Sequence, residues 1–396
     1  MGEWIEKTLG ELTSYIAKGI PPKYVEEAGI ETIRVLNQKC NRNYRISYSE
    51  SRLHDNSVKK VPADKILRDF DVLINSTGTG TAGRVAQIWH VPEPTTLDGH
   101  MILMRPTREI DPLYYGYAIK SCHIQVESFA EGSTGQTEIN KRRLLDEVVI
   151  RFPNSLSEQK AIGRMLKAID EKIQNNEKIN ENLLEQAQTI FTEEFLSLDG
   201  IPEGWSESSL LGIANYLNGL AMQKFRPSDD EQGLPVLKIK ELRQGSCDAN
   251  SELCSPSIKP EYIVHDGDVI FSWSGSLLVD FWCGGTCGLN QHLFKVTSNK
   301  YAKWFYFAWT NHHLQKFAAI AADMATTMGH IKREELAKAE VLIPSQSDYN
   351  RIDGILAPLY DLVIANRIEN RKLASLRDDL LPQLMSGQLD VSEVSL

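Results

Sequence analysis

The chain has 396 residues, 42% of them hydrophobic and 24% charged, the composition of a water-soluble globular protein too long for one ordinary core. No stretch approaches the ~18 consecutive apolar residues of a membrane helix, and the opening MGEWIEKTLG lacks a signal-peptide pattern, so no membrane role and a cytoplasmic location are expected. The net charge of −10 excludes a strongly basic protein, so any nucleic-acid contact would be made by local groups, not by the overall field.

Residues 1–153 open the predicted architecture. Short β-rich runs (Ile33-Arg34-Val35-Leu36, Val72-Leu73-Ile74, Arg84-Val85-Ala86-Gln87-Ile88, Met101-Ile102-Leu103-Met104) alternate there with turn signals and a few helical stretches, which reads as α+β. Gly78-Thr79-Gly80-Thr81-Ala82-Gly83 fits a GxGxxG pattern. A dinucleotide site would need a helix to open at that point. The β-type run Arg84-Val85-Ala86-Gln87-Ile88-Trp89-His90-Val91 follows instead, so a strand–loop–strand is predicted.

Residues 154–199 predict one long helix. Ile162, Leu166, Ile169, Ile173, Asn176, Asn180, Leu183, Ala187 and Ile190 step by alternating four and three, which keeps a single stripe toward a partner helix. About 35 residues would give a helix of about 50 Å. Gly200-Ile201-Pro202-Glu203-Gly204 punctuates its end. Residues 200–344 predict a second α+β unit, and residues 345–396 a second long helix, from about 347 to 385, with a tail. Its seam is Ile352, Leu356, Leu359, Val363, Asn366, Asn370, Leu373, Arg377, Leu380 and Leu384. The acidity sits in these two helical segments: 155–199 carries five Lys/Arg against nine Asp/Glu and 345–396 five against eight, whereas 1–154 carries twenty of each.

The chain repeats itself at an offset of roughly 190–200 residues. Trp4 and Leu9-Gly10 recur as Trp205 and Leu211-Gly212, and Asp71-Val72-Leu73-Ile74 as Asp268-Val269-Ile270-Phe271. Leu97-Asp98-Gly99-His100 recurs as Leu289-Asn290-Gln291-His292, and Tyr114-Tyr115-Gly116-Tyr117-Ala118 as Trp304-Phe305-Tyr306-Phe307-Ala308. Each match is weak, but the ordered series is strong. Two helices with equivalent seams predict an antiparallel pair, which would bring Asn176, Asn180, Asn366 and Asn370 together to fix register. Two amphipathic helices packed separately on their own units are the alternative.

No constellation for catalysis emerges. There is no GxxxxGK[ST] loop and no Asn-Pro-Pro-aromatic tetrapeptide, and His312-His313 and His330 lack a motif-supported Ser or Cys. The six cysteines form no CxxC pair. Cys283 and Cys287 would need two more ligands to hold zinc, so they read as small buried thiols, and no metal site is expected. The aromatic run from Trp304 to Trp309 reads as core, with base stacking as the other use of such residues.

With the repeat in view, the chain resembles the specificity subunits of Type I restriction–modification enzymes. Gly135-Gln136, Ile139, Leu144, Val149-Ile150, Pro153, Glu158-Gln159 and Ile162 look like that family's junction between recognition domain and spacer helix. Leu380-Leu381-Pro382-Gln383-Leu384-Met385-Ser386-Gly387 resembles its usual ending. The second copy departs, with Met328 in place of Gln136 and Asp348-Tyr349 in place of Glu158-Gln159. The resemblance implies target-recognition domains at 1–153 and 200–344, and spacer helices at 154–199 and 345–396 packed as an antiparallel coiled coil. It also implies a non-catalytic DNA-recognition subunit that reads a bipartite target in double-stranded DNA. It implies two modification (methyltransferase) subunits and restriction/motor subunits as partners, with S-adenosylmethionine, ATP and Mg carried by them. A free-standing DNA-binding regulator built from the same duplicated domain is the alternative.

Base reading needs polar side chains delivered to groove edges, while phosphate contacts set position. In the first unit the candidates are Lys18, Lys23, Arg34, Asn37, Lys39, Arg42, Arg45, Thr77, Thr79, Arg84, Thr134, Gln136, Thr137, Asn140 and Lys141. In the second they are Lys224, Arg226, Lys238, Lys240, Arg243, Ser274, Ser276, Thr326, Thr327, His330 and Lys332. Any one of these loops could equally be ordinary solvated surface. Lys141-Arg142-Arg143 is the one compact basic cluster, suited to phosphate.

Overall fold

The computed structural model describes residues 3–132, 137–323, 331–389 and 391. The chain forms two compact units, residues 1–170 with 375–396, and residues 171–374. Two long helices, Leu156–Phe191 and Gln346–Ser386, each contribute to both. Both units are α+β, and they share most of their internal plan.

In the first unit one sheet runs Thr13–Lys18, Met101–Pro106, Val72–Asn75, Val85–Gln87, all antiparallel. A second sheet runs Thr95–Leu97, Thr32–Leu36, Arg52–Asp55, Tyr24–Val25, and its first pair is parallel. The second unit repeats the first sheet as Asn215–Asn218, Leu293–Thr297, Val269–Ser272, Leu278–Phe281. Its second sheet, Leu253–Cys254, Leu234–Leu237, Cys287–Leu289, Ile263–Val264, keeps the parallel pair and the strand beside it but adds its fourth strand next to Cys287–Leu289, whereas the first unit adds Tyr24–Val25 at the opposite edge, next to Arg52–Asp55. Each unit also closes its ends with a short antiparallel pair, Trp4–Thr8 on Val149–Pro153 and Ser206–Ser209 on Glu340–Ile343. The continuous apolar runs of the central strands follow from burial on both faces. Val72 and Ile74 enter one core and Leu73 another; Val269 and Phe271 enter one and Ile270 another.

The GxGxxG segment joins the strands Val72–Asn75 and Val85–Gln87 without a helix. The aromatic run lies on the helix Lys303–Asp323 with Trp304, Phe305, Tyr306, Phe307 and Trp309 all buried. It is core, and each such side chain contributes roughly 2–3 kcal/mol of burial. Glycine is required where the two sheets meet. A Cβ on Gly19 would lie 2.1 Å from the Asp98 carbonyl oxygen, and one on Gly219 2.2 Å from that of Asn290.

Within each unit the long helices pack antiparallel. In the first, Ile162 and Leu166 share a core with Leu381 and Leu384. In the second, Asn176 donates to Asn370 at 2.8 Å, Asn366 donates to Asn180 at 2.9 Å, and Arg351 meets Glu194 at 2.7 Å, with partner numbers running in opposite directions. Asn370 also donates to the Ile173 carbonyl. The departure at Glu158-Gln159 keeps its bond. Gln159 Oε1 accepts the Asp111 N–H at 2.7 Å in the first unit, and the Tyr349 hydroxyl accepts the Ala302 N–H at 2.8 Å in the second.

The seam also buries a charged group beside Ile169. Asp170, 5% exposed, accepts from Arg377 at 2.6 Å and from the Tyr117 hydroxyl at 2.8 Å, with Lys120 Nζ 3.6 Å away. Burial pushes the Asp170 carboxyl up, but Lys120 and Arg377 together outweigh it and hold it below the usual range. Burial brings the Lys120 ammonium down to about 8, with Asp170 opposing. At an offset of 190 in the sequence, Phe307, Thr310, Tyr360 and Ala187 of the second unit correspond to Tyr117, Lys120, Asp170 and Arg377 of the first. There Phe307 stacks on Phe281 at 4.2 Å and meets Tyr360 edge-on at 5.3 Å, inside an apolar cluster that includes Ala187.

Candidate nucleic-acid interface

In the first unit, stretches far apart in sequence meet beyond the ends of the central strands. Thr77 bridges to Glu138, and the Gly78 N–H donates to the Thr137 carbonyl. Gln38 Nε2 donates to the Thr77 hydroxyl at 2.6 Å, and Glu138 pairs with Lys18. Asn37 caps the short helix Gln38–Cys40 by accepting the Lys39 N–H at 2.9 Å, and Asn140 caps the helix Lys141–Glu147. These caps fix the loops that carry Lys39 and Lys141. Lys141 is half-buried; burial pushes its ammonium down, with Lys18 and Lys65 adding to that effect against Glu138. Lys65 Nζ in turn donates to the Gly19 carbonyl. Lys18 and Lys65 therefore lie close enough to Lys141 to act on its charge, with Glu138 paired to Lys18.

Other candidates in this unit are engaged differently. Arg34 pairs with Glu93 at 3.0 Å. Arg84 donates to the Gly80 carbonyl, and Thr79 is exposed at the tip of the same loop. Lys23 is exposed. Arg42 and Arg45 lie on a hairpin whose Tyr44 meets His123 edge-on at 5.3 Å, so that end of the 37–45 stretch turns toward the helices instead of the loops. In the basic cluster, Arg142 is paired with Asp146, and Arg143 with Glu131 and Glu147. These exposed pairs leave Lys141 as the member of the trio that faces the other loops.

The second unit builds a concave surface from Gln223, Arg226, Lys238, Ile239, Lys240, Glu252, Asn290, Gln291 and His292. Lys238 and Arg226 converge on Glu252, and Lys240 meets Asp248 at 3.2 Å. Lys224 and Arg243 are exposed nearby in sequence. The Ser272–Ser276 loop adjoins this surface, since a Cβ on Gly275 would touch Ile239. Ser274 is buried, with its hydroxyl 3.2 Å from His292 Nδ1, and Ser276 is exposed. Lys332 is exposed and follows Ile331, whose N–H donates to the Trp273 carbonyl. Thr134, Gln136, Thr326, Thr327 and His330 lie outside the described residues.

The reading of polar stretches missed Lys65, His100, Gln291 and His292. The two histidines carried a signal, being retained at the same point of the repeat directly after a turn. Chemically, both faces offer ammonium, guanidinium, amide, hydroxyl and imidazole donors, a set suited to phosphate oxygens and base edges. Among the described residues, no group of three or more His, Cys, Asp or Glu could hold a metal ion.

Comparison with known proteins gives a consistent family assignment. The model of the Type I restriction modification DNA specificity domain matches twice, over residues 1–185 and 202–377. The chain is 25% identical, over 99% of its length and 95% of the relative's, to the Type I restriction enzyme MjaIX specificity subunit of Methanocaldococcus jannaschii. It is 25% identical over 47% of its length, and 37% of the relative's, to the EcoBI specificity subunit of Escherichia coli. Its fold is similar to the crystal structure of a Type I restriction–modification S subunit from M. genitalium, with a TM-score of 0.61 and 16% identity, covering 97% of this chain and 96% of that one.

Proposed function

Because the chain belongs to the Type I restriction–modification DNA specificity family, we propose that it reads a two-part target in double-stranded DNA, one part with each globular unit. The observation that carries this reading is duplicated convergence. In each unit, polar stretches tens of residues apart meet beyond the same strands, offering donors for base edges and phosphates.

In this reading the chain itself performs no chemistry. It positions two methyltransferase subunits that hold S-adenosylmethionine, and motor/nuclease subunits that use ATP and Mg. Partner subunits supply much of the phosphate neutralisation, since neither globular segment, 1–154 or 200–344, has a net positive charge. The work is done in the cytoplasm, on host and incoming DNA.

The test is a domain exchange. Replacing residues 1–153 with the equivalent domain of a relative should change one half of the methylated motif, read by methylation-sensitive sequencing, and leave the other half intact. A change in both halves at once would overturn independent reading. Nanomolar, sequence-specific binding by the isolated chain at physiological salt would instead favour a free-standing regulator.

A further inference from the structure

His100 and His292 occupy the same point in the two units and are built in the same way. Each follows a parallel strand, Thr95–Leu97 or Cys287–Leu289, through a tight turn. In that turn the residue two before the histidine accepts its backbone N–H, Asp98 at 2.9 Å and Asn290 at 3.2 Å. Carboxylate and amide serve equally, so the turn uses the oxygen and not the charge. A hydroxyl from the neighbouring loop then meets Nδ1: Thr77 at 3.0 Å from His100, Ser274 at 3.2 Å from His292. The Gly19 and Gly219 contacts clamp the turn from beneath.

Such anchoring exceeds what a surface histidine needs. The Thr77 hydroxyl already accepts from Gln38, so its one proton is available to His100 Nδ1. That leaves the neutral imidazole with its N–H at Nε2. His100 is exposed, on the turn clamped against Gly19, whose carbonyl takes Lys65, one of the two lysines that act on Lys141. His292 lines the concave surface with Arg226, Lys238 and Lys240; the Gln291 amide nitrogen, 3.4 Å from its Nε2, must turn aside on DNA binding for that nitrogen to carry the proton and donate outward as in His100.

Resting on the proposed DNA-reading function, we propose that His100 and His292 are one repeated contact, each giving a hydrogen bond from its imidazole to a phosphate oxygen of the bound duplex. A phosphate is favoured over a base edge because the residue and its anchor recur, while the loops around them differ between units. Ser133-Thr134-Gly135-Gln136-Thr137 in one corresponds to Ala325-Thr326-Thr327-Met328-Gly329 in the other. A contact shared by two different readers fits the part of DNA that carries no sequence.

The experiment uses the chain assembled with its methyltransferase partners and a duplex bearing the motif methylated in the host. His100→Ala and His292→Ala should each weaken binding roughly tenfold, the loss of one hydrogen bond to a charged acceptor, and about equally on target and on single-base variants. His100→Gln, which keeps an N–H near Nε2, should recover part of it. A scan of neutral methylphosphonate linkages should find one phosphate per half-site where wild type drops and the alanine variant loses nothing further. Altered preference at one base pair would assign the histidine to a base edge and overturn the proposal. Unchanged affinity in both alanine variants, with the assembly still selective, would overturn it too. Absence of selective binding by the wild-type assembly would instead refute the DNA-reading function.

Discussion

Replacing Asp170 with alanine should destabilise the first unit out of proportion to the atoms removed. The carboxylate is the shared acceptor of Arg377, Tyr117 and Lys120, and the two cations are only 9% and 7% exposed. Asp378 remains for Arg377, at 2.7 Å, but is itself exposed. Stranding buried charge in this way costs about 3–5 kcal/mol. At about 2–4 °C per kcal/mol for a unit of this size, the first unit should melt about 10 °C lower by scanning calorimetry. The second unit supplies the control, because the residues at the offset of 190 are Phe307, Thr310, Tyr360 and Ala187, three of which lie in one apolar cluster. Installing that set as Tyr117→Phe, Lys120→Thr, Asp170→Tyr and Arg377→Ala should recover at least half of the loss, since a buried ionic cluster confers little net stability over an apolar one. A fall of under about 3 °C for Asp170→Ala would refute the argument. So would a fourfold variant that melts as low as the single one.

Lys120 makes the same cluster pH-dependent. Its folded pKa of about 8 lies below its unfolded value near 10.5, so between those values the unfolded chain binds more protons and stability rises with pH. The cost is fully present below pH 8 and relieved above it; Lys120→Met should therefore lack this rise in denaturant titrations between pH 8 and about 10. In the helix pair, Asn180→Ala leaves the Asn366 amide buried without its partner and should cost about 1–3 kcal/mol. Asn180→Leu with Asn366→Leu should restore stability but loosen register, seen as disulfide cross-linking at more than one cysteine pairing along the helices.

Periodicity exposed most of the fold because each element buries a regular face. The heptad seams and the runs Val72-Leu73-Ile74 and Val269-Ile270-Phe271 are one-dimensional records of burial. Asp170 was hidden by the same logic: an aspartate beside Ile169 reads as solvated face, and only the third dimension supplies Arg377 from 207 residues away. Pro358 does not interrupt the predicted helix at 347–385, because the seam continues across it. It would ordinarily end a helix, yet Gln346–Ser386 continues through it, carried by tertiary packing. The interface was legible as polar stretches but not as pairings. Arg142–Asp146 and Arg143–Glu147 are i,i+4 pairs that a helix at 141–147 would have shown, but nothing local shows that Glu131 also meets Arg143 or that Thr77 holds His100.

The first unit is discontinuous in sequence, and this sets a timetable for its assembly. Leu381, Leu384, Met385 and Val391 lie in the same core as Leu9, Tyr114 and Ile162, and Gly387 sits against Trp4. The second unit is a single uninterrupted segment. At about 5–20 residues per second, a ribosome takes on the order of 10–45 s to pass from the middle of the first helix to the end of the second. Over that interval Ile162 and Leu166 are present without the leucines that cover them. The unit made first is thus completed only after the second helix emerges, and until then its uncovered stripe is open to chaperones and to association with other chains.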